Sequence, residues 1–130
     1  MPLEIEIRPE ERLVITRWIG SMGDRDLIDA DDEFRRNPAI KPEFDQLADL
    51  RLATEGGVSR QTLQVLTTRT PAFSNTSRRA FVAPSDVTFG MARMFEQMRG
   101  EDAGEIRIFR SMEEAEKWLA EGRASGGPPR

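Results

Sequence analysis

Apolar and polar residues alternate at the start of the chain and then give way to longer apolar runs. Leu3, Ile5 and Ile7 alternate with charged residues, and this period of two predicts a strand with one buried face. Residues 12–19 follow a Pro-Glu-Glu turn and carry apolar side chains on both faces, as is typical of a more central strand. The two segments are predicted to pair as a hairpin, with the first strand at an edge of the sheet.

The rest of the chain alternates apolar segments of strand length with segments of helical spacing. Short apolar runs at residues 44–50, 79–83 and 105–109 predict three further strands. Residues 20–23 and 54–57 contain glycine and small polar residues, so they are predicted to be loops. The predicted helices run from Asp24 to about Arg36, from Ser59 through Leu66, from Val87 to Arg99 and from Ser111 through Leu119.

This order of elements predicts an α/β fold. A hairpin followed by three strand–helix–strand crossovers gives a mixed five-stranded sheet, largely parallel after its first strand, with four helices packed against it. Residues 1–120 are expected to form a single domain, since a chain of 130 residues is too short for two ordinary ones. Residues 121–130 have little to bury and are predicted to be a flexible tail.

The composition excludes most familiar catalytic and metal-binding sets. The chain has no Cys, His or Tyr, which removes thiolate nucleophiles and imidazole bases or ligands. The acidic run at residues 29–33 is predicted to fan around a solvated helix rather than to hold a metal. Lys41 and Lys117 do not lie in stretches that look buried, so no lysine base is indicated. We therefore predict a protein that is not an enzyme and has no cofactor.

Charge and hydropathy limit the partners and the location. The net charge is −4, and the arginines are scattered along the chain without forming a basic stripe, so nucleic acid is not an expected partner. No apolar segment approaches the roughly 20 residues of a membrane helix, so no membrane insertion is expected. The first residues lack the layout of a signal peptide, and a cytoplasmic location is predicted.

The predicted helix at residues 87–99 is unusually rich in Met and Phe. Its apolar positions cover a face wider than one buried stripe requires. The sequence predicts a binding face for a protein partner or an apolar ligand at Phe89, Met91, Met94 and Phe95, because Met adapts to varied surfaces. The alternative is that this helix is buried nearly all round, between the sheet and a neighbouring helix.

A second candidate site is polar and lies where the parallel strands end. Asp49, Arg51 and Arg110 fall at the carboxyl ends of predicted strands, and Ser85 and Asp86 form the turn before the Met-rich helix. Open α/β sheets bind ligands at this edge, so the five residues are a possible anion or ligand site. In the alternative interpretation, Asp49 is satisfied by a neighbouring Arg or loop amide and the Ser-Asp pair is only a helix cap.

Three segments carry a resemblance to a known family. They are DLR at 49–51, RRAFVAPSDVTFGMARMFE at 78–96 and IRIFRSMEEAEKWL at 106–119. With this order of elements the chain resembles the SpoIIAA-like family, small bacterial proteins related to STAS domains and more distantly to Sec14 or CRAL-TRIO lipid-binding domains. The resemblance implies a possible phosphorylation site at Ser59, although Arg60 stands where the STAS pattern has Gly. A plain N-cap explains Ser59 equally well.

Two functions follow from these observations. The leading hypothesis is a non-catalytic regulatory or protein–protein interaction module, with an unknown protein partner or a second copy of itself in a homodimer. The alternative is a small-molecule or lipid-binding domain with an apolar pocket. A lipid pocket requires an enclosed cavity of about 300 Å³ or more, whereas an interaction module needs an exposed apolar patch.

Overall fold

A computed structural model describes residues 3–54, 57–100 and 104–125 of the chain. The strands are β1 (Leu3–Arg8), β2 (Leu13–Ser21), β3 (Asp45–Thr54), β4 (Arg78–Val82) and β5 (Glu105–Phe109). The helices are α1 (Asp24–Arg36), α2 (Arg60–Thr68), α3 (Asp86–Arg99) and α4 (Met112–Ser125). A single 3₁₀ turn (Pro9–Glu11) joins the first two strands.

The five strands form one mixed sheet in sequence order, β1-β2-β3-β4-β5. β1 is antiparallel to β2 and lies at the edge, and every later pair is parallel. Parallel neighbours need a crossover connection, which α1, α2 and α3 provide in turn. The predicted hairpin, the mixed α/β sheet and the four helices are confirmed.

Helices cover both faces of the sheet. On one face α4 packs against β2, β3 and β4 through a core of Leu13, Ile15, Leu47, Ala80, Val82, Ala115, Trp118 and Leu119. The other face carries α1, α2 and α3, with core residues that include Val14, Trp18, Ala30, Phe34, Ala48, Leu50 and Ala83. Alternation along each strand sends neighbouring residues to opposite faces, so both sets become buried.

The sequence favours N-caps at Asp24, Ser59, Ser85 or Asp86, and Ser111, and hydrogen bonds at the helix starts support three of these four caps. Ser59, Ser85 and Ser111 each accept a hydrogen bond from the backbone N–H three residues later. α1 differs, because Gly23 is its N-cap residue and the Asp26 carboxylate accepts from the Gly23 N–H at 2.8 Å. Asp24 lies inside α1 instead, and its carboxylate accepts a hydrogen bond from the backbone N–H of Ser59.

Two strands run further than the sequence predicts. β2 continues through Ser21 and β3 through Thr54, into segments predicted to be loops. Gly20 pairs with Ala53, and Ser21 pairs with Thr54. Pairing between the strands thus overrides the weak strand propensity of these small residues. α4 likewise continues to Ser125, past the predicted start of the tail, and residues 126–130 lie outside the described residues.

The extended ends of β2 and β3 form a two-stranded projection. β3 pairs with β4 only as far as Asp49. Among the described residues, β1 pairs with β2 only as far as Trp18. Residues 19–21 and 52–54 therefore pair with each other beyond both flanking strands, and we call them the β2–β3 ribbon.

Candidate functional site

Asp49 lies at an irregularity where β3 leaves β4. Arg17 pairs with Asp49 and Ile19 pairs with Leu52, so β3 has one more residue than β2 across this interval. Such a β-bulge leaves backbone groups out of the ladder. The Asp49 carboxylate accepts hydrogen bonds from the backbone N–H of Arg51 at 3.0 Å and from its guanidinium at 3.0 and 2.9 Å. Asp49 thus fixes the bulge from which the β2–β3 ribbon begins.

These contacts set the ionisation of Asp49. Burial alone would raise its pKa, but the hydrogen bonds from the Arg51 side chain and backbone outweigh burial and hold the pKa of Asp49 below its usual value. Asp49 is therefore a carboxylate at neutral pH. The structure agrees with the alternative interpretation of the sequence, in which a neighbouring arginine satisfies the Asp49 carboxylate.

Replacing Asp49 with Asn is expected to destabilise the protein at neutral pH only. Because the pKa of Asp49 is lowered in the folded state, its charge stabilises the fold above the unfolded value near 3.8, and this contribution is lost as pH falls below it. We expect Asp49→Asn to lower the free energy of unfolding by about 1 kcal/mol at pH 7, since Arg51 is half exposed. Urea unfolding at pH 7 and pH 3 measures the difference.

The control for this prediction is Asp29→Asn. Asp29 is exposed on α1, and its nearest ion-pair contact, with Arg25, is 3.6 Å long. We expect it to change stability by less than about 0.5 kcal/mol at either pH. An Asp49→Asn deficit that persists unchanged at pH 3 would contradict the role of its charge.

The other polar candidates form a separate pair at the end of β5. Arg110 donates to the Asp86 carboxylate and to the carbonyl oxygen of Pro84, at 2.8 and 2.9 Å. Its guanidinium carbon also lies 4.2 Å from the centre of the Phe89 ring, which is a cation–π distance. Ser85 caps α3. These contacts tie the end of β5 to the first turn of α3.

Four of the five residues predicted as one anion site therefore form two ion pairs, and the fifth, Ser85, caps α3. Arg51 is neutralised by Asp49, and Arg110 by Asp86. No contact between the two pairs is present in the part of the chain that the structure describes. A pocket of about 200 Å³ does adjoin Asp49 and Arg51, and its lining includes further arginines but not Ser85, Asp86 or Arg110. An incoming anion would have to compete with a carboxylate at either arginine, so the anion site stays a prediction.

The predicted binding face on α3 lies partly toward the protein interior. Phe89, Met91, Met94 and Phe95 are each half buried. Phe89 and Met91 pack against the core beneath α1 and α3. Phe95 lies 5.9 Å from Phe81, between ring centres. None of the four is fully enclosed, so their use as a binding face stays a prediction.

Met91 and Phe95 line a cavity between the sheet and the layer formed by α1, α2 and α3. Its volume is about 70 Å³. Most of its wall is apolar, and its contributors include Trp18, Ala48, Leu63, Phe73, Phe81 and Ala92. Its polar wall residues are Asp31, Gln46, Arg79 and Arg99.

Arg79 is a polar residue of the cavity wall that was not among the predicted site residues. It is only 6% exposed, and its Nε donates to the Gln46 side-chain oxygen at 2.9 Å. Burial and the positive charge of Arg99 lower the pKa of Arg79 to about 9, so the guanidinium is still charged at pH 7. The sequence feature that could have identified Arg79 is the Arg-Arg pair at the start of β4. Two consecutive strand residues face opposite sides, so a sheet covered on both faces buries at least one of them.

The comparisons with known proteins settle the fold. No family model and no curated protein matches this chain. A similar solved structure is that of an uncharacterized protein of the DUF3478 family with a SpoIIAA-like fold, from Shewanella loihica PV-4. The alignment has a TM-score of 0.54 and 19% sequence identity, and it covers 90% of this chain and 91% of the other. This chain has a SpoIIAA-like fold. The resemblance predicted from its sequence is confirmed at the level of the fold.

The more distant relation to Sec14 is not supported by these comparisons. The cavity beneath α1, α2 and α3 has a volume of about 70 Å³, and a second pocket between α4 and the sheet has about 200 Å³. Both lie below the roughly 300 Å³ set for a lipid pocket.

Ser59 occupies a crowded position in the SpoIIAA-like domain. Its backbone N–H donates to the Asp24 carboxylate at 2.6 Å, and its hydroxyl accepts from the N–H of Thr62 at 3.1 Å. The hydrogen bond from Ser59 lowers the pKa of Asp24, which is therefore negative at neutral pH. A phosphate on Ser59 would meet this charge at the start of α2. Phosphorylation stays a prediction, and it requires displacing Asp24.

The described residues of the SpoIIAA-like domain support neither a metal site nor a membrane span. Within residues 3–54, 57–100 and 104–125, no group of three or more acidic side chains could hold a metal ion. The acidic residues of α1 instead pair with arginines, as in the contacts of Asp31 with Arg35 and Arg69 at 2.7 and 2.9 Å. No helix in the described part of the chain has the length and apolar character needed to span a bilayer.

Proposed function

We propose that this SpoIIAA-like domain is a non-catalytic regulatory module that binds a protein partner through the β2–β3 ribbon. The observation that carries this proposal is the ribbon's exposed apolar pair. Ile19 and Leu52 are register partners on neighbouring strands, and they are 40% and 67% exposed. Exposed apolar side chains on adjacent strands are typical of a protein interaction site.

The backbone of the ribbon supports the same proposal. Beyond Asp49, β3 has β2 on one side and, among the described residues, no strand on the other. An unpaired strand edge carries N–H and C=O groups that can pair with an extended segment of another protein. Such a partner would add a strand beside residues 52–54 and cover Leu52 with its own side chains.

A non-catalytic role agrees with the chemistry available. The sequence has no His or Cys, so a general base or thiol nucleophile would have to come from rarer residue types. Two of the predicted site residues instead form hydrogen bonds that stabilise the fold. Asp49 accepts one at the bulge, and Ser85 accepts one at the start of α3. The partner is an unknown protein or a second copy of this chain, and the cytoplasmic location stays a prediction.

Replacing Leu52 with Lys is expected to remove the partner while leaving the fold intact. Because Leu52 is largely exposed, a lysine costs little in the free protein but introduces an unpaired charge in the interface. Native mass spectrometry of the full chain purified from its own host should detect a complex for the wild type. We expect Leu52→Lys to reduce the fraction in complex by at least about tenfold.

The matched control is Val65→Lys. Val65 is 50% exposed on α2 and tests whether any new lysine at an exposed apolar position has the same effect. The complex should survive this substitution. A complex that persists in Leu52→Lys, or that is lost equally in Val65→Lys, would refute the ribbon as the binding surface, as would a wild type that carries no partner.

The cavity beside Arg79 favours a second candidate, the binding of a small molecule. The alternative function predicted from the sequence is a small-molecule or lipid-binding domain. A cavity of about 70 Å³ agrees with small-molecule binding, but it holds only a compact ligand.

A further inference from the structure

Arg79 is a buried cation without an acidic partner. Its guanidinium lies beneath the helices, and in the described part of the chain it forms no ion pair. Asp31, which also lines the cavity, is already paired with Arg35 and Arg69. Burying a charge without a counter-charge is costly, so buried arginines are normally paired with a carboxylate.

The surroundings of Arg79 hold its guanidinium in one orientation. Its carbon Cζ lies 4.5 Å from the centre of the Phe73 ring, and 5.7 and 5.9 Å from those of Phe95 and Phe81. Its Nε is occupied by Gln46, which in turn donates to the hydroxyl of Thr16. The two terminal nitrogens have no hydrogen-bond partner among the described residues. No fully buried side-chain nitrogen in that part of the chain lacks a partner, so these two atoms border accessible space, and Arg79 lines the cavity. These nitrogens are the edge of the guanidinium that binds a carboxylate in a bidentate manner.

We propose that the cavity beside Arg79 is a binding site for a small monocarboxylate, with the carboxylate on the terminal nitrogens of Arg79 and a short apolar tail against the aromatic rings. The site lies between the sheet and the layer of α1, α2 and α3, and no residue of the β2–β3 ribbon lines it, although Trp18 and Met22 on either side of residues 19–21 do. It is independent of the proposed protein partner.

Charge and size select this class of ligand. A monoanion would neutralise the buried guanidinium, and Arg99 adds a positive field at the cavity wall. A phosphate dianion would bring surplus charge into an apolar space. A volume of about 70 Å³ is roughly half of the ~150 Å³ of an apolar cavity that binds benzene, a ligand of six non-hydrogen atoms. The cavity therefore matches acetate or propionate and is too small for a six-carbon acid.

The test titrates the full chain with sodium acetate and sodium propionate at pH 7 and constant ionic strength, by nuclear magnetic resonance. We expect saturable binding with a Kd of about 1 mM, which is reasonable for four or five non-hydrogen atoms. Hexanoate, inorganic phosphate and the neutral analogue 1-propanol should bind at least about tenfold more weakly. Equal binding of propanol or phosphate, or no saturation by 100 mM propionate, would overturn the proposal.

Arg79→Met is the decisive variant. It keeps a side chain of similar length and removes the charge, so propionate binding should weaken at least about tenfold. Without ligand, we expect this variant to melt at a higher temperature than the wild type, because an unpaired buried charge is gone. Propionate should raise the melting temperature of the wild type and leave that of Arg79→Met unchanged. A purely structural arginine would give the opposite result, a lower melting temperature and no response to propionate in either protein.

Two further variants keep the proposal testable if Arg79→Met does not fold. Ala92→Leu fills the cavity from α3 while Arg79 remains, and it should also abolish propionate binding. Arg93→Met removes an exposed arginine from the same helix and should bind propionate like the wild type. Propionate binding that survives in Ala92→Leu, or that is lost in Arg93→Met, would exclude the cavity as the site.

Discussion

Replacing Trp118 with Ala is expected to lower the free energy of unfolding by about 3–5 kcal/mol, the cost of a large cavity in a core. Trp118 is buried on α4 and lies 5.7 Å from Phe109, between ring centres. Arg78 lies over its ring at 4.9 Å and donates to its carbonyl oxygen at 2.8 Å. The residue therefore holds α4 on the sheet through apolar and cation–π contacts together.

Urea unfolding followed by circular dichroism measures this effect, since the substitution removes one of the two tryptophans and weakens fluorescence as a probe. The control is Lys117→Ala, the exposed neighbour on α4, with an expected change within about 0.5 kcal/mol. A loss below about 1 kcal/mol for Trp118→Ala would mean that α4 does not pack on this face of the sheet.

The second large effect is expected at Gly104, just before β5. Its φ is +96°, and a Cβ added there would lie 2.6 Å from the backbone oxygen of Ser77. That oxygen accepts the N–H of Glu105 at 2.9 Å, so it cannot move without weakening the start of β5. Strained backbone and overpacking together should make Gly104→Ala less stable by about 3 kcal/mol.

The same substitution is expected to have the opposite effect on stability at Gly90. Gly90 lies inside α3, and a Cβ there would meet no atom within 4 Å. Gly90→Ala should therefore stabilise the protein by about 0.5–1 kcal/mol, because alanine favours the helix. Thermal unfolding of both variants separates the two cases. If Gly104→Ala is as stable as the wild type, the close approach of Gly104 to the Ser77 backbone is wrong.

The sequence predicts most of the fold because its local signals agree with one another. The alternation from Leu3 to Ile7, the cap at Ser111 and the apolar run of β5 each point to the element that is present. The ends of β2 and β3 were missed for a physical reason. Gly20 and Ala53 have low strand propensity, and only pairing between distant segments makes them part of strands.

The candidate sites were harder to predict than the fold. The sequence places Asp49, Arg51 and Arg110 near strand ends, but it does not show which acid each arginine meets. The cavity beside Arg79 depends on the spacing of three helices over the sheet, and no local pattern encodes that spacing. Arg79 itself was detectable, since one of two consecutive arginines in a doubly covered strand must lie under a helix.

The central claim, that the β2–β3 ribbon binds a protein partner, is tested most directly by photo-crosslinking in the native host. A photoreactive amino acid is placed at position 52 and, in a second strain, at position 65 as the control. We predict one major crosslinked product, with another protein or with a second copy of this chain, from position 52 and none from position 65. Absence of a product at position 52, or the same products from both positions, would contradict it.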